Sequence, residues 1–202
     1  MGCLVPSLGR AGVFSIAGSI GAGKVPNEYS FFVRDFSYGA GVLWEHPILT
    51  LKAVQSAKAY HFFAIETGAF FSQRFFNFQD SGVDYNCSEK VVQIPVLLRF
   101  WYSRGFSIGF GGYAAIPIGS ITTGVQDITP SPLVELGAAV DLRIYLTHPS
   151  TSVRFVHPDQ PKWFVEAQYD LSLTPIDNLS AKAYDNIKLL IGVKFGPTPY
   201  GL

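Results

Sequence analysis

Residues 89–102 read EKVVQIPVLLRFWY, and after a Ser103-Arg104 step residues 105–120 read GFSIGFGGYAAIPIGS. In the first stretch Val92, Ile94, Val96, Leu98 and Phe100 fall on one side of an extended chain, with Gln93, Pro95, Leu97, Arg99 and Trp101 on the other. In the second, Phe106, Ile108, Phe110, Ala114, Ile116 and Ile118 oppose Ser107, Gly109, Gly111, Tyr113 and Ala115. An apolar residue at every second position marks a β-strand with two unlike faces. The brief joint Ser103-Arg104-Gly105 predicts a tight turn between two antiparallel strands.

Working outward, the same period recurs in about eight segments of about ten residues, punctuated by Gly, Pro, Asn, Asp and Ser. They cover residues 12–22, 34–45, 60–73, 89–102, 105–120, 133–147, 162–173 and 186–195. One face is apolar almost without interruption: Phe14, Ile16 and Ile20; Phe36, Tyr38, Val42 and Trp44; Phe63, Ile65 and Phe71; Val140, Leu142 and Ile144; Trp163 and Val165; Ile187, Leu189 and Ile191. The other face mixes small residues with charges of both signs. A small barrel has little interior room for so many large apolar side chains, so they are expected outside, against lipid. Segments of this length and alternation fit strands crossing a bilayer at a tilt. The expected fold is therefore all-β: an eight-stranded antiparallel up-and-down transmembrane β-barrel formed by residues 1–202 as one domain, in a bacterial outer membrane.

The inward face then carries Glu66, Glu135, Asp141, Glu166 and Asp170, balanced by Arg99, Arg143, Lys188 and Lys194. An unpaired charge inside a narrow barrel is costly, so these nine are expected to pair as a structural network. Aromatics near the segment ends, Trp44, Tyr60, Phe70, Phe71, Trp101, Tyr102, Trp163 and Phe195, are expected to form girdles at the two membrane interfaces. The longest connection is expected at residues 74–88. Residues 45–58 and 148–161 read as inner links too long for tight turns. If the N-terminus is periplasmic, the longer outer links lie outside the cell.

Composition agrees. Apolar residues make up 48% of the 202, aromatics 15% and charged residues 15%, against about 25% charged in soluble domains. A soluble β-sandwich or barrel with a large aromatic core shares this composition. Net charge is zero, which gives nothing to draw the chain to nucleic acid. Cys3 and Cys87 show neither metal-ligand nor Cys-x-x-Cys spacing, and their pairing is open. No apolar stretch precedes Cys3 to make a lipoprotein anchor, and residues 1–12 lack a secretory signal, so the sequence is expected to be a mature form or to lack its true start. Residues 105–126 hold no charge and could span a bilayer as a helix, but their six glycines, Pro117 and period of two argue against it.

The run Val92-Gln93-Ile94-Pro95-Val96-Leu97-Leu98-Arg99-Phe100, its short turn, and Phe106-Ser107-Ile108-Gly109-Phe110-Gly111-Gly112-Tyr113 resemble the small outer-membrane barrel domains often called PorT-like, a porin-family domain of Bacteroidota-type bacteria. Ile65-Glu66-Thr67-Gly68 and Val134-Glu135-Leu136-Gly137 also resemble strand motifs of that family. The resemblance implies an architecture like OmpA-type and OmpX-type barrels and no shared catalytic residues. Family barrels commonly end on an aromatic, whereas here residues 196–202 follow Phe195.

Motifs for chemistry are absent: no Walker loop, Rossmann fingerprint or zinc spacing. Gly109-Phe110-Gly111-Gly112 reads as a strand against a narrow lumen. His148-Pro149-Ser150 resembles the His-x-Ser element of outer-membrane lipid A deacylases, but no carboxylate is placed to orient the histidine. His46 and His61 flank an inner link and read as surface residues; the fourth histidine is His157. The expectation is thus a non-enzyme with no cofactor and no metal: a monomeric barrel with a packed or very narrow lumen, contacting outer-membrane lipid and a protein partner or surface ligand through its long outer loops. The alternatives are a small transport channel or secretion or adhesion component, a soluble lipocalin-like carrier (which lacks its Gly-x-Trp element here) and an outer-membrane lipid hydrolase.

Overall fold

Among the described residues, eight long strands are each hydrogen-bonded on both sides, and the last of these eight pairs with the first. The computed structural model describes residues 2–6, 12–24, 35–53, 59–80, 83–103, 106–123, 127–128, 133–146, 162–174 and 185–195. Eleven strands lie in them: β1 (Gly2–Pro6), β2 (Val13–Lys24), β3 (Asp35–Ala53), β4 (Ala59–Asp80), β5 (Val83–Ser103), β6 (Phe106–Pro117), β7 (Ile121–Thr123), β8 (Asp127–Ile128), β9 (Glu135–Leu146), β10 (Lys162–Ser172) and β11 (Asp185–Phe195). Eight of them, β2, β3, β4, β5, β6, β9, β10 and β11, form a ring of antiparallel neighbours in chain order. The ring is closed by β11 on β2, from Asp185↔Lys24 to Phe195↔Phe14. Closure removes the unpaired strand edges that an open sheet would present.

Alternation gives the barrel two opposite surfaces. On β9 burial runs buried–exposed from Gly137 to Leu146, and β10 and β11 repeat it. The side turned outward is the apolar one: Ile16, Ile20, Trp44, Val96, Phe110, Leu136, Val140, Ile144, Ile187 and Ile191 are all exposed. The side turned inward holds Arg74, Arg99, Arg143, Glu66 and Glu166 in full burial. The fold is the eight-stranded antiparallel barrel that the sequence period predicts. Residues 106–117 are strand β6, and no helix among the described residues is long and apolar enough to cross a membrane.

Three strands run well beyond their expected ends. The expected link 45–58 shrinks to residues 54–58, because β3 continues to Ala53 and pairs Lys52 with Ala59 of β4. The ladder shifts register between Pro47 and Leu49 and again before Thr50. Such irregularities re-phase the side chains, which hides a strand from a period-two reading. The expected long connection 74–88 is a hairpin: β4 and β5 stay paired from Arg74↔Glu89 to Asp80↔Val83, past the last β3 pair at Phe36↔Phe75. Its alternation is masked because polar residues stand at both odd and even positions there, among them Arg74, Asn77, Gln79, Asp84 and Asn86. Residues 2–6, outside every expected segment, form β1 along β3. After β6 the chain turns through Gly119, whose φ of 81° suits glycine, and β7 adds to β5 at Cys87↔Thr123. The remaining strands match their expected bounds to within about three residues, the ordinary scatter of strand ends. The expected link 148–161 lies outside the described residues.

The two ends of the barrel differ. One, the proximal end, carries the start of β2, the link 54–58, the turn between β5 and β6 and the end of β11. The other, the distal end, carries the β4–β5 hairpin and the connections that follow β2, β6 and β10.

Candidate functional site in the barrel lumen

Period-two strands aim every second side chain at the barrel axis, so neighbouring strands bring charges together that lie far apart in sequence. Arg99 of β5 sits at the centre, fully buried. Its Nη1 donates to Asp141 Oδ1 at 2.8 Å and to Ser107 Oγ at 3.0 Å, and its Nη2 to Glu66 Oε1 at 2.8 Å and Asp141 Oδ2 at 2.9 Å. Arg143 of β9 grips the same Glu66 from the other side, Nη1 to Oε2 at 2.7 Å and Nη2 to Oε1 at 3.0 Å, while its Nε donates to Glu166. Glu66 is therefore clasped by two guanidiniums. Charge-assisted, bidentate bonds of this kind are the strong ones, and they answer for the desolvation of the buried ions.

Towards the proximal end, Lys194 pairs with Glu45 at 3.0 Å, and Trp101 Nε1 donates to the same carboxylate at 2.9 Å. The ammonium lies 4.7 Å from the Trp101 ring centre, and the Arg143 guanidinium lies 4.4 Å from that of Phe164. Tyr145 and Phe164 lie against these groups, and Leu43, Leu190 and Phe70 carry the same buried cluster on along the lumen. Two of these rings use the missing side chain of a glycine: a Cβ on Gly41 would collide with Phe70, and one on Gly192 with Phe164. Big residues over inward glycines close the lumen.

Towards the distal end a second cluster is built differently. Arg74 meets Glu135 at 2.5 Å and Glu89 at 3.7 Å, and Tyr113 donates to Glu135 at 2.8 Å. Lys188 pairs with Asp170, which also accepts from Gln93 at 3.1 Å and from Gln168. The clusters meet at a cavity of about 10 Å³, lined by Glu66, Phe70, Gln93, Glu166, Gln168 and Lys188. That volume holds about one water.

All nine charged residues singled out in the sequence face the lumen, and each is paired. The network also includes Glu45, Arg74, Glu89, Gln93 and Gln168. Glu45, Arg74 and Glu89 stood at or just past segment ends, and the signal for them was the same parity carried a step further. The two glutamines were visible on the polar face but uncharged. Of the expected girdle, Phe70 and Trp101 point inward instead and are buried, Trp101 beside Glu45 and Phe70 at the cavity between the two clusters. They share parity with Glu66 and Arg99, and parity outweighs nearness to a strand end.

Glu66, Asp141 and Glu166 bring oxygens within 4.8 Å of one another, a spacing that could hold a metal ion. Arg99 and Arg143 already occupy those oxygens and would repel a cation, so the donor set does not fit one. His46 is exposed on the outer face, its ring edge-on to Trp44. The side chain of His61, and His148, Ser150 and His157 entirely, lie outside the described residues, as does the side chain of Cys3; Cys87 is buried on β5.

No family model matches the chain, and no curated protein does. Among solved structures it is similar to Ail, the attachment invasion locus protein of Yersinia pestis, in a complex with the heparin analogue sucrose octasulfate. The TM-score is 0.43 at 11% identity, over 91% of this chain and 96% of that one.

Proposed function

We propose that this chain is an integral outer-membrane β-barrel whose lumen is a packed structural core and whose work is done by contacts at its distal end. The observation that carries this reading is the outward apolar face. It encircles all eight ring strands, whereas water-soluble monomers rarely expose apolar patches above a few hundred Å². On β9 the outward row from Leu136 to Leu146 measures roughly 33 Å along the strand and roughly 24 Å along a barrel axis tilted by ~45°, the height of an outer-membrane apolar band. Aromatics flank it: Phe36, Tyr38 and Phe75 distally, and Phe14, Phe195, Trp44 and Trp163 proximally. The same reading makes the chain a monomer bathed in lipid, and the resemblance in residues 92–113 supports a PorT-like member.

The closed lumen favours this reading over its rivals. A carrier of an apolar ligand needs a pocket of about 300 Å³ or more, and the cavity between the two lumen clusters described above is about 10 Å³. A channel needs a continuous wet path, and the Arg99–Glu66–Arg143 bridge lies across it. No catalysis is assigned.

Refolding into phosphatidylcholine vesicles tests the core claim. The folded barrel is expected to run faster on gels unheated than boiled; a chain that stays soluble and monomeric without detergent refutes it. In planar bilayers the wild type is expected to show no steady conductance, and regular single-channel currents would establish the channel instead.

A further inference from the structure

On the outward faces of β3 to β6, among the described side chains, Lys90 is the only Lys, Arg, Asp or Glu. It is exposed, and it does not stand alone. Register places Tyr38, Gln73 and Lys90 in one row across β3, β4 and β5. Tyr38 donates from its hydroxyl to Gln73 Oε1 at 2.8 Å, which occupies the amide oxygen and leaves the Nε2 group as a donor. Directly distal, Phe36 and Phe75 stack with ring centres 4.7 Å apart. Directly proximal, the outward positions Ala40, Phe71 and Val92 begin the apolar band.

A lysine and an amide at the edge of an apolar band, with no carboxylate beside them among the described side chains, are donors for which no described side chain is the acceptor. In a bilayer this row lies where headgroups begin, and a lysine there extends its ammonium to that level. We propose that Lys90, Gln73 and Tyr38 form a site for the phosphate of an anionic lipid headgroup, with the acyl chains running down over Phe71 and Val92. The charge of Lys90 selects anionic over zwitterionic lipid, and the Gln73 amide, held by Tyr38, supplies the second donor. This rests on the membrane reading, which is tested separately by folding in pure phosphatidylcholine.

The test is native mass spectrometry of the barrel released from mixed micelles of phosphatidylglycerol and phosphatidylcholine in equal amounts. The wild type is expected to retain phosphatidylglycerol in excess. Lys90→Gln should lower that excess about fivefold, as for the loss of one basic contact at a membrane surface. Lys90→Arg should keep it, and Gln73→Leu should lower it less than Lys90→Gln. All variants should keep heat-modifiable mobility in phosphatidylcholine. An unchanged excess in Lys90→Gln, no excess in the wild type, or displacement of the lipid by inorganic phosphate would each overturn the site. Folding in phosphatidylcholine without lipid selection removes the site alone; failure to fold in any vesicle removes the membrane reading as well.

Discussion

Leu142 and Arg143 are adjacent on β9 and live in opposite solvents. Leu142 is 39% exposed and points away from the barrel, while Arg143 has no exposure and is held among Glu66, Glu166 and the Phe164 ring. In a water-soluble domain the two environments would be exchanged. The pair shows that what holds this barrel together differs by face. Inside, charge-assisted hydrogen bonds act together with buried aromatic and aliphatic side chains. Outside, apolar side chains are stable only if the surroundings are apolar too. Substitutions at the two positions therefore probe different forces, although the residues share a peptide bond.

The largest effect is expected inside. Arg143→Met roughly keeps volume but strips Glu66 and Glu166 of a guanidinium, leaving Arg99 as the one guanidinium among the buried carboxylates of Glu66, Asp141 and Glu166. Removing one partner of a buried pair costs about 3–5 kcal/mol. Urea unfolding in phosphatidylcholine vesicles, followed by tryptophan fluorescence, should show a loss of that size, and a loss below about 1 kcal/mol would mean the network does not hold the barrel. The double variant Arg143→Met with Glu166→Gln should recover part of it, because the two share one interaction.

Outside, Leu142→Arg asks what surrounds the band. At mid-depth in a bilayer an outward arginine costs about 2–4 kcal/mol. On a water-facing surface the same change lies within about 0.5 kcal/mol. The unfolding midpoint in vesicles thus decides between lipid and water at this face. Next in size comes Gly192→Ala, on the inward face of β11, where the new methyl meets the Phe164 ring and lies 2.7 Å from the carbonyl oxygen of Ile16. Overpacking of that kind costs about 1–3 kcal/mol. A neutral result would show that Phe164 is free to swing aside and that the plug is looser than its burial implies.

Much of this was legible in the sequence because a barrel uses one rule throughout. Parity alone separates Arg99 from Leu98 and Glu166 from Val165, and it needs no knowledge of which strands are neighbours. Which charges meet was not legible. Glu66 is shared by Arg99 and Arg143 because strand tilt and stagger bring β4, β5 and β9 to one level of the lumen, and stagger is set by the closed ring rather than by any one segment. The hairpin beyond Phe75 and the stretch after Pro47 were missed for another reason: where neither face need be apolar, or a bulge shifts the phase, alternation carries no signal. Phe70 and Trp101 were drawn to the girdle by type and position, yet parity sends them inward, over Gly41 and beside Glu45.

Depth offers the finest test of the same contrast. Leu136 and Leu142 both face outward on β9 and both are exposed, Leu136 at 56%. They differ only in position: Leu142 is near the middle of the outward row, and Leu136 begins it at the distal end, next to Thr174, whose hydroxyl accepts from the Leu136 amide at 2.9 Å. An arginine at position 136 can reach headgroups and water within its own length, so Leu136→Arg should cost about 0–1 kcal/mol. The gap between Leu136→Arg and Leu142→Arg, rather than either value, is the quantity that reads membrane depth, since side-chain entropy and strand propensity are nearly common to both. A soluble barrel would show no gap. A gap of reversed sign would place the distal rim deeper than the middle of β9 and would require the band to be redrawn around a different set of residues.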